Sequence, residues 1–391
     1  MPVHLPTLAG VRMLTPVLTA VLALTAPAGA SAATVPTAEL REALVDVRDE
    51  EGITAVSAAV VRSGKVAWSG AVGRAVDPDG VHPRTGRPTT RRTVAAKPST
   101  RFSLASASKT YTAAIVLKLV DEGKVGLDEP LARWAPTIPG ADRVTVRMLL
   151  DHTAGYPDVE TEEPLVSELT IGSSAFDPNR PWNRAEILAR QQAPAFTPGT
   201  RYEYSNSNYL LLGEVLERAS GGTADTELQR AIAAPLRLKE TTYATRPGLA
   251  RKMARSYEWY DDRANDHWAG ATGVPTDIIG PVWTDGGVVT TAREAARFGD
   301  GLNRGRLISA ATLAQMLRPT TQSGTDRYGL GTYAFTAAGR TWQGHDGNYG
   351  GYQSMLFTDR RAQLTLAVLT NTDGESAEAA FSALADVLDP R

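Results

Sequence analysis

The chain has 391 residues, with 41 Lys and Arg against 43 Asp and Glu, a formal net charge of −2 and both signs well mixed. That balance leaves no basic footprint for nucleic acid, and the complete lack of cysteine excludes disulfides, thiol catalysis and lipid attachment at a lipobox cysteine. Roughly 360 residues beyond the N-terminal segment, in a chain that is 42% hydrophobic, suffice for a sizeable core in two subdomains.

Arg12 precedes an apolar stretch from Met13 to Ala26, and Ala30-Ser31-Ala32 before Ala33 fits a small-residue cleavage site. Residues 1–32 therefore read as a secretory signal peptide, so the expectation is a secreted, extracellular protein with no stable membrane anchor. Glu39 to Glu50 is expected as a helix. Thr54 to Arg62 and Lys65 to Gly73 follow as a strand pair turned at Ser63-Gly64. Asp77 to Thr100, rich in Pro, Gly and Arg, reads as an exposed loop, whose Arg84, Arg87, Arg91, Arg92 and Lys97 are more simply solvated than aimed at an anionic polymer.

Ala107 to Glu122 reads as a mostly buried helix with a nearly unbroken apolar run, stopped by Gly123. Ser106 stands at its head and Lys109 lies three residues on, on the same helical face. Serine needs a partner to take its proton, so this spacing suits a nucleophile and its base, and the helix N-terminus favours a developing oxyanion. The same serine would equally serve as an N-cap. Burial of Lys109 is expected to lower its pKa toward a value useful for proton transfer.

Tyr204-Ser-Asn206 follows the loop signal Pro198-Gly199-Thr200 and precedes the helical run Tyr209 to Arg218, which places it on a connection between helices. Beside an ammonium, the Tyr204 phenolate is favoured, so Lys109 or Tyr204 would serve as general base; a buried tyrosine with a satisfied hydroxyl is the plainer reading. Farther on, GHDGNYGGYQSMLFTDRRAQLTLAVLTN reads as two strands joined at Asp359-Arg-Arg361, with Gly347 and Gly350-Gly351 marking a close approach of another backbone. A substrate laid along that edge gains main-chain hydrogen bonds. Ala377, Phe381, Leu384 and Leu388 share one face of a closing amphipathic helix.

Ser106-Ala-Ser-Lys109, Tyr204-Ser-Asn206 and His345-Asp346-Gly347, in that order, resemble the motifs of the penicillin-recognising serine hydrolases, in particular the class C β-lactamase and secreted D-alanyl-D-alanine carboxypeptidase branch. The likeness extends to Arg101-Phe-Ser-Leu104, Leu149-Leu-Asp-His-Thr-Ala-Gly155, Phe196-Thr-Pro-Gly-Thr200 and Asp285-Gly-Gly-Val-Val-Thr-Thr291. It implies an α+β fold of β-lactamase/DD-peptidase type. Residues 33–101 and 286–391 would build an antiparallel sheet from both termini flanked by helices, with a mostly helical domain, 102–285, inserted between them; strands at both ends with helices between suggest the same arrangement.

By that resemblance Ser106 is the acylated nucleophile, Lys109 and Tyr204 its proton-shuttling pair, and Asn206 a ligand of the substrate amide carbonyl. His345, Asp346 and Gly347 form the third motif, and the backbone N–H groups of Ser106 and Asn348 the oxyanion hole. The resemblance implies no metal and no cofactor. It implies a monomer acting on a small molecule or peptide, such as a peptidoglycan stem peptide or a β-lactam. Two departures matter: the middle residue of the third motif is Asp346, where relatives use a hydroxyl to hold a substrate carboxylate, and the preceding Gly329 to Phe335 offers no Arg, although Arg340 is near. Two carboxylates at about 4 Å repel by roughly 1 to 4 kcal/mol, which favours an ester or amide without a terminal carboxylate.

Tyr156, Trp259, Tyr260, Trp268, Trp283 and Tyr349 are expected near the rim of the groove. The chain contains no Gly-x-Ser-x-Gly elbow and no His-Glu-x-x-His, which argues against an α/β-hydrolase and a zinc hydrolase. A carboxylesterase or transacylase, and a non-catalytic penicillin- or peptidoglycan-binding protein on the same scaffold, remain as alternatives.

Overall fold

A computed structural model describes residues 35–244, 248–260, 263–374 and 376–389; residues 1–32, expected as a signal peptide, lie outside them. The expected first helix spans Thr37–Glu50 and is followed by strands β1 (Ala55–Arg62) and β2 (Lys65–Val76), paired from Arg62 with Lys65 onward. β3 (Val94–Ala95) extends that hairpin from the arginine-rich loop. Short strands β4 (Phe102–Ser103) and β5 (Thr242–Tyr243), a hairpin β6 (Tyr257–Tyr260) with β7 (Arg263–Asp266), and β8 (Val288–Thr290) come from the middle of the chain. β9 (Tyr333–Ala337), β10 (Arg340–Tyr349), β11 (Tyr352–Asp359) and β12 (Leu364–Thr370) complete the strands.

One seven-stranded sheet runs β3-β2-β1-β12-β11-β10-β9, all neighbours antiparallel, so the two ends of the chain meet where β1 pairs with β12. The near-continuous apolar reading of β1 and β12 has a simple cause: both faces are covered. Val56 and Val60 with Leu366 and Val368 face the first helix and the closing helix Ser376–Val387, through Leu40, Leu44, Phe381 and Leu384. Alternate residues Ala55, Ala59, Ala367 and Leu369 face the opposite way, toward Phe298 of helix Ala292–Asn303 and the rest of the main core. Period-two alternation therefore sorts one strand between two helical layers.

The C-terminal run is a three-stranded meander, where the sequence suggested two strands. Gly350 (φ 56°) and Gly351 (φ 73°) form a two-residue turn between β10 and β11. Left-handed φ at both central positions is the demand of a type I′ hairpin, which glycine meets without steric cost. Residues 102–285 hold most of the helices, and their β4 and β5 pair with β8 in a small sheet next to the turn that carries Ser106.

Candidate active site

Ser106 lies in a single 3-10 turn, Ala105–Ala107, that leads directly into helix Ser108–Asp121. That helix is buried over nearly its whole length, from Ser108 to Leu117 and again at Leu119, which explains the all-round apolar pattern. Ala105 has φ 46°, a left-handed conformation that costs an L-residue about 1–2 kcal/mol and makes the sharp bend ahead of Ser106.

β10 runs past this turn. A Cβ on Gly347 would stand 2.1 Å from the Leu104 carbonyl oxygen and 2.8 Å from the Ser106 nitrogen, so only glycine allows the strand so close. β9 pairs with β10 only as far as Gly344, and the edge from His345 onward is therefore left without a strand partner on that side among the described residues.

The Lys109 side chain is fully buried. Its Nζ donates to Ser106 Oγ at 3.1 Å, to Asn206 Oδ1 at 2.7 Å, and to the Asp285 carbonyl and Oδ2 at 3.2 and 3.4 Å. Tyr204 stands close enough to Ser106 and Lys109 for both to lower its phenol, and it remains 37% exposed at the mouth of the site. Lys109 Nζ also lies 5.1 Å from the Tyr204 ring centroid.

Asn206 is the first residue of helix Asn206–Ser220, one step inside the helix, where the sequence suggested a connecting loop. Its backbone N–H donates to Asp158 Oδ2 at 3.0 Å, a carboxylate placed where the helix dipole favours it, and its Nδ2 donates to Glu160 Oε2 at 3.1 Å. Both ends of the Asn206 amide are thus held in a defined orientation.

The electrostatics depart from the sequence expectation at Lys109. Burial pulls the ammonium down, as expected, but Tyr204, Asp285 and Glu160 outweigh it and the net shift is upward. Burial pushes the Tyr204 phenol up further than Lys109 and Ser106 lower it. The carboxyls feel the same confinement: burial raises Glu160 well above the usual range and Asp285 to about 7, with Lys109 opposing both. Isolation from water alone would have lowered the lysine; Tyr204 first, then Asp285 and Glu160, reverse that.

A second network fixes the opposite wall. His152 Nδ1 accepts from the Ser205 backbone N–H at 3.2 Å, so its proton sits on Nε2, which meets the Tyr328 hydroxyl at 3.2 Å. The Tyr328 hydroxyl reaches His345 Nε2 at 3.0 Å, and His345 Nδ1 donates to the Asp346 carbonyl at 2.6 Å. His152 also stacks on Tyr204, with centroids 4.2 Å apart. Burial first, then Lys109 and His345, hold the His152 imidazole well below its ordinary value.

Beside Ser106 opens a cavity of about 480 Å³ whose lining includes Tyr202, Tyr204, Tyr328, Tyr333, His345 and Asp346, with Asn348 at its edge. The aromatic wall is thus a different set from the one expected. Tyr156, Trp268 and Trp283 are buried elsewhere, and Trp268 donates to the Tyr352 hydroxyl at 3.1 Å. Tyr349 is half-buried, Trp259 is 50% exposed, and neither lines this cavity; of Tyr260 only the backbone is described. Asp346 turns into the cavity, where the Tyr333 hydroxyl donates to its Oδ1 at 3.0 Å. Arg340 is committed elsewhere, to Asp359 at 3.1 Å and Asp389 at 3.0 Å.

The structure therefore gathers Ser106, Lys109 and Asn206 into one hydrogen-bonded group with the Tyr204 ring beside it, and His345 to Asn348 on the strand alongside. Sequence reasoning gave no role to Asp285, Glu160, His152, Tyr328, Tyr202 or Tyr333. Asp285 and His152 lay within quoted motifs; the tyrosines carried no signal, because only the fold brings them together.

A family model described as Beta-lactamase matches residues 40–389. The chain belongs to the beta-lactamase family. This is a fold family of serine hydrolases that includes peptidases and amidases. Among curated relatives, penicillin-binding protein 4* of Bacillus subtilis is 26% identical over 303 residues, covering 72% of this chain and 62% of that protein. D-alanyl-D-alanine-carboxypeptidase/endopeptidase AmpH of Escherichia coli is 32% identical over 161 residues, 38% of each chain. Each match spans less than two thirds of the relative's length. Among solved structures, a D-stereospecific amidohydrolase from Streptomyces sp. superposes with a TM-score of 0.72 at 26% identity, covering 88% of this chain and 97% of that one.

Proposed function

We propose that this member of the beta-lactamase family is an exported hydrolase that forms an acyl-enzyme on Ser106, and that its substrates are amides, peptides or β-lactams of D-amino acids. The observation that carries the reading is the contact of the buried Lys109 ammonium with Ser106 Oγ at 3.1 Å, with the Tyr204 ring centroid 5.1 Å from the same Nζ. In this reading the Lys109–Tyr204 pair takes the Ser106 proton as Oγ attacks the carbonyl and returns it to the leaving group. The Ser106 and Asn348 N–H groups hold the oxyanion, each worth roughly 3 to 4 kcal/mol in the transition state. Asn206, clamped between Lys109 and Glu160, presents its remaining amide N–H to the substrate carbonyl.

Asp346 in the cavity wall favours substrates without a terminal carboxylate over a strict D-Ala-D-Ala carboxypeptidase. The likeness to a D-stereospecific amidohydrolase supports an amide. An esterase is the second reading, since the same wall accommodates a neutral alcohol.

The test uses purified protein and its Ser106→Ala variant with fluorescent penicillin, a short-chain nitrophenyl ester, a D-amino-acid amide and a D-Ala-D-Ala peptide. Turnover or covalent label that requires Ser106 is expected. Persistent label marks a peptidase, rapid loss of label a β-lactamase, and ester turnover alone an esterase. Turnover that survives in Ser106→Ala, or no label and no turnover with any probe, would refute the proposal.

A further inference from the structure

The cavity beside Ser106 has an unusual charge balance for a site expected to hold a substrate's departing end. Four tyrosines, Tyr202, Tyr204, Tyr328 and Tyr333, wall it; Asp346 and Asp326 supply carboxylates; its lining contains no lysine or arginine. Arg327, between the lining residues Asp326 and Tyr328, is exposed and outside the lining, and Arg340 is tied up with Asp359 and Asp389.

The tyrosine rings face different directions. Tyr328 and Tyr333 are nearly parallel, at 16° with centroids 6.3 Å apart, Tyr204 stands at 83° to Tyr328, and Tyr202 is tilted at 41°. The four rings are not coplanar, and the cavity that they line is an aromatic corner rather than a flat slot. Burial holds all four phenols above their ordinary range, so the rings stay neutral and keep the negative faces that attract cations. Burial pushes the Asp346 carboxyl up, but His345 and the Tyr333 hydroxyl outweigh it, and Asp346 ends below the usual carboxylate range. A carboxylate held by a tyrosine hydroxyl in an aromatic-walled cavity complements a positive charge and repels a negative one.

We infer that this cavity is a subsite for a cationic leaving group: an alcohol or amine that carries a primary or quaternary ammonium and departs from the Ser106 acyl-enzyme. The inference rests on the proposed Ser106 chemistry and names its substrate class. Ser106 Oγ bonds to the carbonyl carbon, the bond from that carbon to the leaving oxygen or nitrogen breaks, and the proton from Ser106 passes through Lys109 and Tyr204 to the leaving atom. The ammonium rests in the cavity throughout. Water then cleaves the acyl-serine ester, giving the acid and free Ser106.

Isosteric esters provide the test: kcat/KM of the full chain for the butanoate ester of choline, for 3,3-dimethylbutyl butanoate, its neutral carbon isostere, and for the butanoyl ester of 4-hydroxybutanoate, which ends in a carboxylate. The choline ester should exceed the neutral isostere by about tenfold or more, with the carboxylate-ended ester slowest. The ratio of choline ester to isostere should fall at least about threefold in Asp346→Asn, and again when Asp326→Asn is added. Because a ratio is read, any loss of shared catalytic power cancels. Should Asp346→Asn not fold, Asp326→Asn alone and a rise to roughly 0.5 M salt supply the same reading, each expected to lower the ratio.

Equal rates for choline ester and isostere, or a preference that survives both substitutions and salt, would overturn the subsite. If the neutral ester is hydrolysed in a Ser106-dependent way without any cation preference, the subsite falls while the acyl-enzyme reading stands. If no ester is hydrolysed and Ser106 takes no label, both fall.

Discussion

Replacing Asp285 by Asn tests the reasoning about the buried charges around Lys109. Asp285 Oδ2 lies 3.4 Å from Lys109 Nζ, and the Asp285 carbonyl oxygen at 3.2 Å is untouched by the change. Two unit charges at that separation interact by about 5 kcal/mol at an effective dielectric of 20. That figure is a ceiling, because the Asp285 carboxyl itself titrates near about 7 and is only partly ionised at neutral pH. Roughly 1.5 to 3 kcal/mol remains, equivalent to about one to two pH units in the ionisation of Lys109.

In the proposed mechanism acylation requires Lys109 or Tyr204 in its deprotonated form, and both are held above their ordinary values. Removing a negative charge makes loss of a proton easier, so the rising limb of kcat/KM against pH should move to lower pH by one to two units in Asp285→Asn. The assay is hydrolysis of a nitrophenyl ester between about pH 5 and 10, with the buffer series matched for ionic strength. A limb that stays in place or moves to higher pH would refute the claim that Asp285 keeps Lys109 charged.

Gly347→Ala should abolish acylation and cost roughly 1 to 3 kcal/mol in urea unfolding, since the added Cβ meets the Leu104 carbonyl at 2.1 Å and must push β10 away from Ser106; normal penicillin labelling in this variant would contradict the close approach. His267 is buried between Glu258 at 3.0 Å and Asp277 at 2.7 Å, and although burial opposes its charge the two acids raise it to about 10. A raised folded value means that its stabilisation is complete below the unfolded value near 6.5 and is lost as pH rises through about 10. His267→Gln should therefore be less stable than the wild type by about 3 to 5 kcal/mol at pH 6, with the gap closing toward pH 10. A gap that does not change with pH would show that His267 acts by packing alone.

Much of the fold was legible because its signals are local. Apolar and β-branched runs bounded by turn residues placed β1, β2 and β12, the all-apolar run ending at Gly123 placed the helix that follows Ser106, and strands at both ends with helices between gave the sheet its origin in both termini. The Ser106 to Lys109 contact was legible for the same reason: three residues on a helix lie on one face. The meander was misread because Gly350-Gly351 is both a tight turn and a close approach to Tyr257, and two uses of glycine look the same in a sequence.

By itself the sequence determined the candidate reagents of this protein: a serine at a helix head, a lysine one turn on, and Tyr204, Asn206 and the His345 strand in order along the chain. Tertiary structure alone decided how those reagents are poised. Asp285 reaches Lys109 from 176 residues away, Tyr328 spans the same distance to His152, and Glu160 meets Asn206 across 46 residues. Charge state in a buried site depends on the summed field of such distant groups and on exclusion of water, and neither is encoded in any one stretch of chain.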